Sequence, residues 1–91
     1  MKRVEIIANR SVEEDIMEAL AAAGAAKHYT LIPLVHGSGR QGRRTGETTW
    51  PEENFDLVIY CDEEEERAIA AAVASVKARF EHEGIKIFSL G

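Results

Sequence analysis

Cysteine is almost absent from this chain: Cys61 stands alone among 91 residues. That excludes an internal disulfide and any CxxC metal clasp, and its apolar neighbours predict a buried thiol. Long apolar runs are missing too, since none approaches the ~20 residues that a membrane-spanning helix needs. Met1-Lys2-Arg3 leads directly into a strand-like segment with no apolar signal core, so the cytoplasm is the expected location and no membrane insertion is expected. Basic charge is scarce, with 11 Lys and Arg against 16 Asp and Glu and a net charge of -5. Nucleic-acid binders ordinarily carry net positive charge to displace phosphate counterions, so no nucleic-acid partner is expected. The length fits one globular domain spanning residues 1–91, whose modest core would gain from self-association.

Three of the eleven basic residues gather in one place. Gly37 to Gly46 reads GSGRQGRRTG, with three arginines and no acid. Glycines let the backbone N–H groups approach a ligand, and guanidinium forks add bidentate donors, a combination suited to phosphate, carboxylate or an acidic surface. Gly37-Ser38-Gly39-Arg40-Gln41-Gly42 formally matches GxGxxG, but no helical period follows it, which excludes a dinucleotide turn of the Rossmann type. A Walker loop is excluded because no Gly-Lys-Ser/Thr occurs.

The flanking segments predict the fold. Val4 to Ala8 reads as a buried strand. Ser11 and Glu14 have capping-box spacing and open a helix whose apolar face is Val12, Ile16, Leu20 and Ala23, with Met17 beside it and Gly24 as its stop. His28 to His36 is a strand demoted to a sheet edge by Pro33, and Phe55 to Cys61 is a nearly continuous apolar, central strand. The connection between them is far longer than the ~2–5 residues of a hairpin, and such loops tend to be functional. Asp62 caps a second helix with Glu63 to Glu66 in its first turn, so the acidic run reads as helix-start chemistry rather than a metal site. Ile69, Val73, Val76 and Phe80 form its buried stripe, Gly84 breaks it, and Ile85 to Leu90 alternates as a last strand. The order βαββαβ predicts an α+β, ferredoxin-like domain: an antiparallel sheet ordered 4-1-3-2, two helices on one face, and a long loop between strands 2 and 3.

Gly37-Ser38-Gly39-Arg40-Gln41, placed after an edge strand in a βαββαβ chain, resembles the loop stem of the PII signal-transduction proteins, and Gly84-Ile85-Lys86-Ile87-Phe88 resembles the segment that begins their last strand. The resemblance covers essentially the whole chain. It implies a homotrimeric regulatory protein, not an enzyme, with no required cofactor. An adenine nucleotide (ATP, ADP or AMP) or another small anion would bind in the clefts between subunits. A target protein, a membrane transporter among the candidates, would be contacted through the loop. Carried over residue by residue, it implies that Gly37, Gly39, Arg40 and Gln41 wrap the effector's phosphates or an associated ion and that Lys86 adds a phosphate charge. Lys86 also reads as a solvated strand residue, and Arg40 as half of an inter-subunit ion pair. Arg43 and Arg44 are assigned to the partner-facing part of the loop, with Trp50, which reads either as an aromatic anchor or as packing back beside Pro51, the latter preferred.

The chain departs from that pattern in two respects. It closes at Gly91, before the family's arginine-bearing extension, and its loop has no tyrosine to accept a uridylyl group, since Tyr29 and Tyr60 are placed in strands. Both departures point to a shortened, divergent relative. The alternative reading is a metal-homeostasis protein similar to the CutA group, which shares the trimeric architecture. His28 and His36 stand too far apart along one strand to chelate an ion together, so a metal would need His36 with loop acids or a second subunit. No metal ligand set is assigned, and no nucleophile with an adjacent base is found.

Overall fold

In a computed structural model, residues 1–37 and 52–91 are described. Strand β1 (Lys2–Asn9) leads through a 3-10 turn (Arg10–Val12) into helix α1 (Glu13–Ala22). Strands β2 (Thr30–Gly37) and β3 (Glu52–Cys61), helix α2 (Glu63–Arg79) and strand β4 (Ile85–Leu90) follow. All pairings are antiparallel and the sheet runs β2-β3-β1-β4, the predicted order seen from its other edge.

Alternation along the two central strands builds the core. Val4, Ile6 and Ala8 of β1 lie opposite Ile59, Leu57 and Phe55 of β3, and all six are essentially removed from solvent. Because successive strand residues point to opposite faces, these six share one face, and both helices pack there. Helix α1 contributes Ile16 and Leu20, with Val12 just before it, and α2 contributes Ile69, Ala72, Val73 and Val76. A side chain of this size contributes roughly 1.5–3 kcal/mol when fully buried, so the helix face dominates stability. Phe80 of the predicted stripe is half-buried because α2 has ended before it, and Ala23 is exposed because it caps the last turn of α1.

The helix starts divide into one expectation met and one overturned. Asp62 accepts the Glu65 N–H at 2.8 Å, as its position predicts. The Ser11 and Glu14 box does not form: Asn9 Oδ1 takes the Ser11 N–H at 2.9 Å, capping the 3-10 turn, and α1 begins behind Val12 with no side-chain cap. Asparagine one strand-end earlier wins because it can bond two residues ahead and start the turn before serine is reached. At the other end of α1, Gly24 takes φ +67, and the Gly24 and Ala25 N–H groups return to the Ala21 and Leu20 carbonyls. That double return is a Schellman stop. Helix α2 ends at Arg79, earlier than Gly84. The Gly84 carbonyl instead accepts the Asn9 N–H at 2.9 Å, seating the start of β4 beside the end of β1.

Strand β2 lies at an edge, as Pro33 demands, and the pairing with β3 slips between Ile32 and Val35, around the proline. His28 and Tyr29 precede this strand rather than belonging to it, and β3 starts three residues before Phe55. Both strands therefore extend further toward the loop than their apolar runs.

Candidate functional site

The sequence points to the loop stem and Lys86. Of the predicted residues, Gly37 and Lys86 fall among those described, while Gly39, Arg40, Gln41, Arg43, Arg44 and Trp50 lie outside them. Gly37 ends β2 opposite Glu52. It has no positive φ, and its glycine character serves close approach instead: a Cβ there would come to 3.0 Å from Asn54 Nδ2. Asn54 is a buried polar residue of β3, registered between Val35 and Asn9. A side chain at position 37 would require that amide to give way.

Lys86 is exposed on β4, opposite Ile7, which in turn faces Asp56 and then Ile32 across the sheet. Gly37 and Lys86 thus occupy opposite edge strands but the same end of the sheet, where β2 and β1 finish and β3 and β4 begin. Three strand spacings plus the offset along the strands separate them by roughly 20 Å. The two halves of the predicted site do not meet within one chain.

The sheet face away from the helices carries a second group of residues that sequence reading passed over. Arg3 and Tyr60 are paired in register, and Arg3 Nη1 donates to the Tyr60 hydroxyl at 2.9 Å. The guanidinium lies 5.7 Å from the Tyr60 ring centroid, within cation–π range, and Nη2 reaches Glu5 Oε2 at 3.5 Å. Diagonal to Glu5 is Asp56, whose neighbours leave it 9% exposed. Its Oδ1 has no hydrogen-bond partner among the described residues. Burial, then the hydrogen bond with Glu5 and the repulsion of that second carboxyl, push Asp56 up to about 6, with Arg3 pulling the other way. Two carboxyls set diagonally on one sheet face resist ionising together.

The signal for this pair was present. Glu5 interrupts VEIIA and Asp56 interrupts FDLVIYC, each the one acid within its apolar run. Only the register shows that they are diagonal neighbours.

On the same face, Ile32, Tyr60, Phe88 and Leu90 expose between 42% and 68% of their surface. Cys61 is buried on the helix side, and desolvation followed by Glu65, Glu66 and Asp62 pushes its thiol up, away from the reactive thiolate. A cavity of about 360 Å³ opens between the end of α1 and the start of α2, bordered by Lys27, His28, Asp62, Glu64 and Glu65. An apolar recess of about 280 Å³ lies beside β4, between Val4, Ala70 and Ile87. Neither Gly37 nor Lys86 lines either space. Within the acidic run, Glu65 accepts the Ala26 N–H at 2.8 Å and Glu66 accepts from the Ser89 hydroxyl, so these two side chains tie α2 to its surroundings. Among the described residues, no group of three or more His, Cys, Asp and Glu is placed to hold a metal ion. No described helix is long and apolar enough to cross a membrane.

Compared by sequence with curated proteins, the chain matches none. Solved structures do match. CPII, a nitrogen regulatory PII-like protein from Thiomonas intermedia K12 solved with ADP, AMP and bicarbonate, superposes with a TM-score of 0.70 at 20% identity, covering 98% of this chain and 86% of its own. The same protein with ADP and bicarbonate gives 0.71 at 22% identity, with 98% and 82% covered. A protein of Thermus thermophilus described as PII-like and signalling gives 0.67 at 25% identity, with 98% and 83% covered. A family model, nitrogen regulatory protein P-II, matches residues 1–90. With every residue but the last inside that match and the βαββαβ sheet beneath it, the chain belongs to the nitrogen regulatory protein P-II family.

Proposed function

We propose that this chain is a regulatory binding protein of the cytoplasm, not an enzyme, that works as a homotrimer. An adenine nucleotide or a small anion binds between its subunits, and the arginine-rich loop carries occupancy to a target protein. The observation that carries this reading is the placement of Gly37 and Lys86 at one end of the sheet on opposite edges. A neighbouring copy that sets its β4 edge beside this β2 edge brings a loop stem and a lysine to one cleft. A nucleotide phosphate in that cleft would meet glycine N–H groups from one subunit and a compact cation from the next. The apolar side chains on the sheet's open face supply the surface for such contacts, since an uncovered row of large apolar groups marks an association site. The ADP, AMP and bicarbonate held by the Thiomonas relative support the choice of effector class. Ordering of a loop by its ligand is an established way to transmit occupancy, to the extent that the ligand's contacts differ between states.

Calorimetric titration with ATP, ADP, AMP, cyclic AMP and bicarbonate tests the reading, repeated on Arg40→Ala and Lys86→Ala. We expect at least one adenine nucleotide to bind and each variant to weaken it about tenfold or more, the loss of one charge-assisted contact. Absence of binding by every nucleotide would overturn the nucleotide assignment. A monomer in sedimentation at all concentrations would overturn the trimer.

A further inference from the structure

The open sheet face holds a charge arrangement that neither effector binding nor loop signalling uses. Arg3, Glu5 and Asp56 sit together on β1 and β3, and fully ionised they sum to one negative charge. Asp56 is the member with least access to water, and one of its oxygens has no partner among the described residues. Among the described residues Arg3 is the one cation in contact with the group, with one arm on Tyr60 and the other on Glu5. From the other elements, β2 sets Thr30, Ile32 and Val35 on this face and adds no charge. From β4 comes Lys86, diagonal to Glu5 and two strand spacings from Asp56, and it forms no ion pair with either carboxyl. Both helices lie on the opposite face. The trio therefore has no described route to neutrality except a proton.

Covering this face with a second copy removes the remaining water, and an excess buried charge is what such an interface tolerates least. We propose that association of this chain through its open sheet face takes up one proton per subunit, held between the carboxyls of Asp56 and Glu5. The proposal rests on the trimer reading above and makes that trimer tighter in acid and looser in base. A single copy already holds Asp56 up at about 6, so free chains lose the proton above that pH. Assembly must then recover it from solvent. Linkage fixes the sign: when the assembled state binds more protons, the association constant falls as pH rises. In a symmetric ring the three carboxyl pairs act together.

Sedimentation equilibrium on the full chain between pH 5 and pH 8 tests this, with Asp56→Asn and Glu5→Gln measured alongside and circular dichroism confirming that each is folded. For the unmodified protein, the logarithm of the trimer association constant should fall above about pH 6 with a slope approaching -3 per pH unit, one proton for each subunit. Asp56→Asn, neutral at every pH, should remain trimeric at pH 8 with a slope near zero. Glu5→Gln should flatten the slope as well by removing the repelling partner, and it decides the matter if Asp56→Asn does not fold. A trimer whose slope is the same in the unmodified protein and in the folded variants overturns the shared proton and leaves the trimer standing. A chain that is monomeric at every pH overturns the trimer, and this inference with it.

Discussion

Glu65 offers the sharpest test of how the acidic run at the start of α2 works. Its Oε2 accepts the N–H of Ala26 at 2.8 Å, and Ala26 is 6% exposed with φ +54, a conformation that costs an ordinary residue about 1–2 kcal/mol. The bond spans 39 residues of sequence and holds the turn after α1 against the first turn of α2. Truncation in Glu65→Ala leaves a buried N–H without an acceptor, which costs about 1–3 kcal/mol. The adjoining cavity of about 360 Å³ is bordered by polar groups and admits water, which sets the expected loss near the lower half of that range. Glu65→Gln keeps an acceptor and removes only charge, so it should lose ~0.5–1 kcal/mol through the weaker bond and the helix dipole. Glu64→Gln, exposed in the same turn, measures the dipole contribution alone, at about 0.3–0.5 kcal/mol. Urea unfolding followed by circular dichroism at one fixed protein concentration gives all three values, and a chain of this size loses roughly 4–8 °C in Tm per kcal/mol. Equal losses for the Ala and Gln variants, or an Ala loss no larger than that of Glu64→Gln, would refute a structural role for this carboxylate.

Three further outcomes follow from the same geometry. The raised Asp56 carboxyl contributes stability that is complete below its unfolded value near 3.8 and is lost as pH rises through about 6. Asp56→Asn should therefore be more stable than the unmodified protein at pH 8, by at most roughly 3 kcal/mol, with the gap closing toward pH 4 in urea titrations. Asp62→Ala should lower stability by about 1 kcal/mol in the same assay, through loss of the cap to Glu65 N–H. Cys61, buried with its thiol pushed up, should react with a disulfide reagent at pH 8 at least ~100-fold more slowly than the same thiol in urea, and comparable rates would show the helix side to be open.

Strand order was readable from residues because two independent signals agree on it. The alternation of Val4, Ile6 and Ala8 and the near-continuous apolar run from Phe55 to Cys61 mark the middle strands, and Pro33 marks an edge. Ser11 misled because its spacing to Glu14 is a local pattern, while the turn starts two residues earlier at Asn9, whose side chain takes the Ser11 N–H. The loop stem was legible as a motif, yet that Gly37 and Lys86 stand at opposite edges follows only from the pairing register. Register also hid the carboxyl pair. Glu5 and Asp56 are 51 positions apart in sequence, and each alone looks like an ordinary charge on a half-open strand.

Pro33 has a consequence beyond assigning β2 to an edge. A bare edge strand invites another strand to add to it, and the addition can repeat without limit into fibrous aggregates. Here the outer ladder lacks an amide donor at Pro33, and the backbone slips register beside it between Ile32 and Val35. An incoming strand would find its hydrogen bonds interrupted midway. Unlimited edge growth is thereby discouraged, and Pro33→Val should raise the tendency to form fibrils by restoring a continuous template.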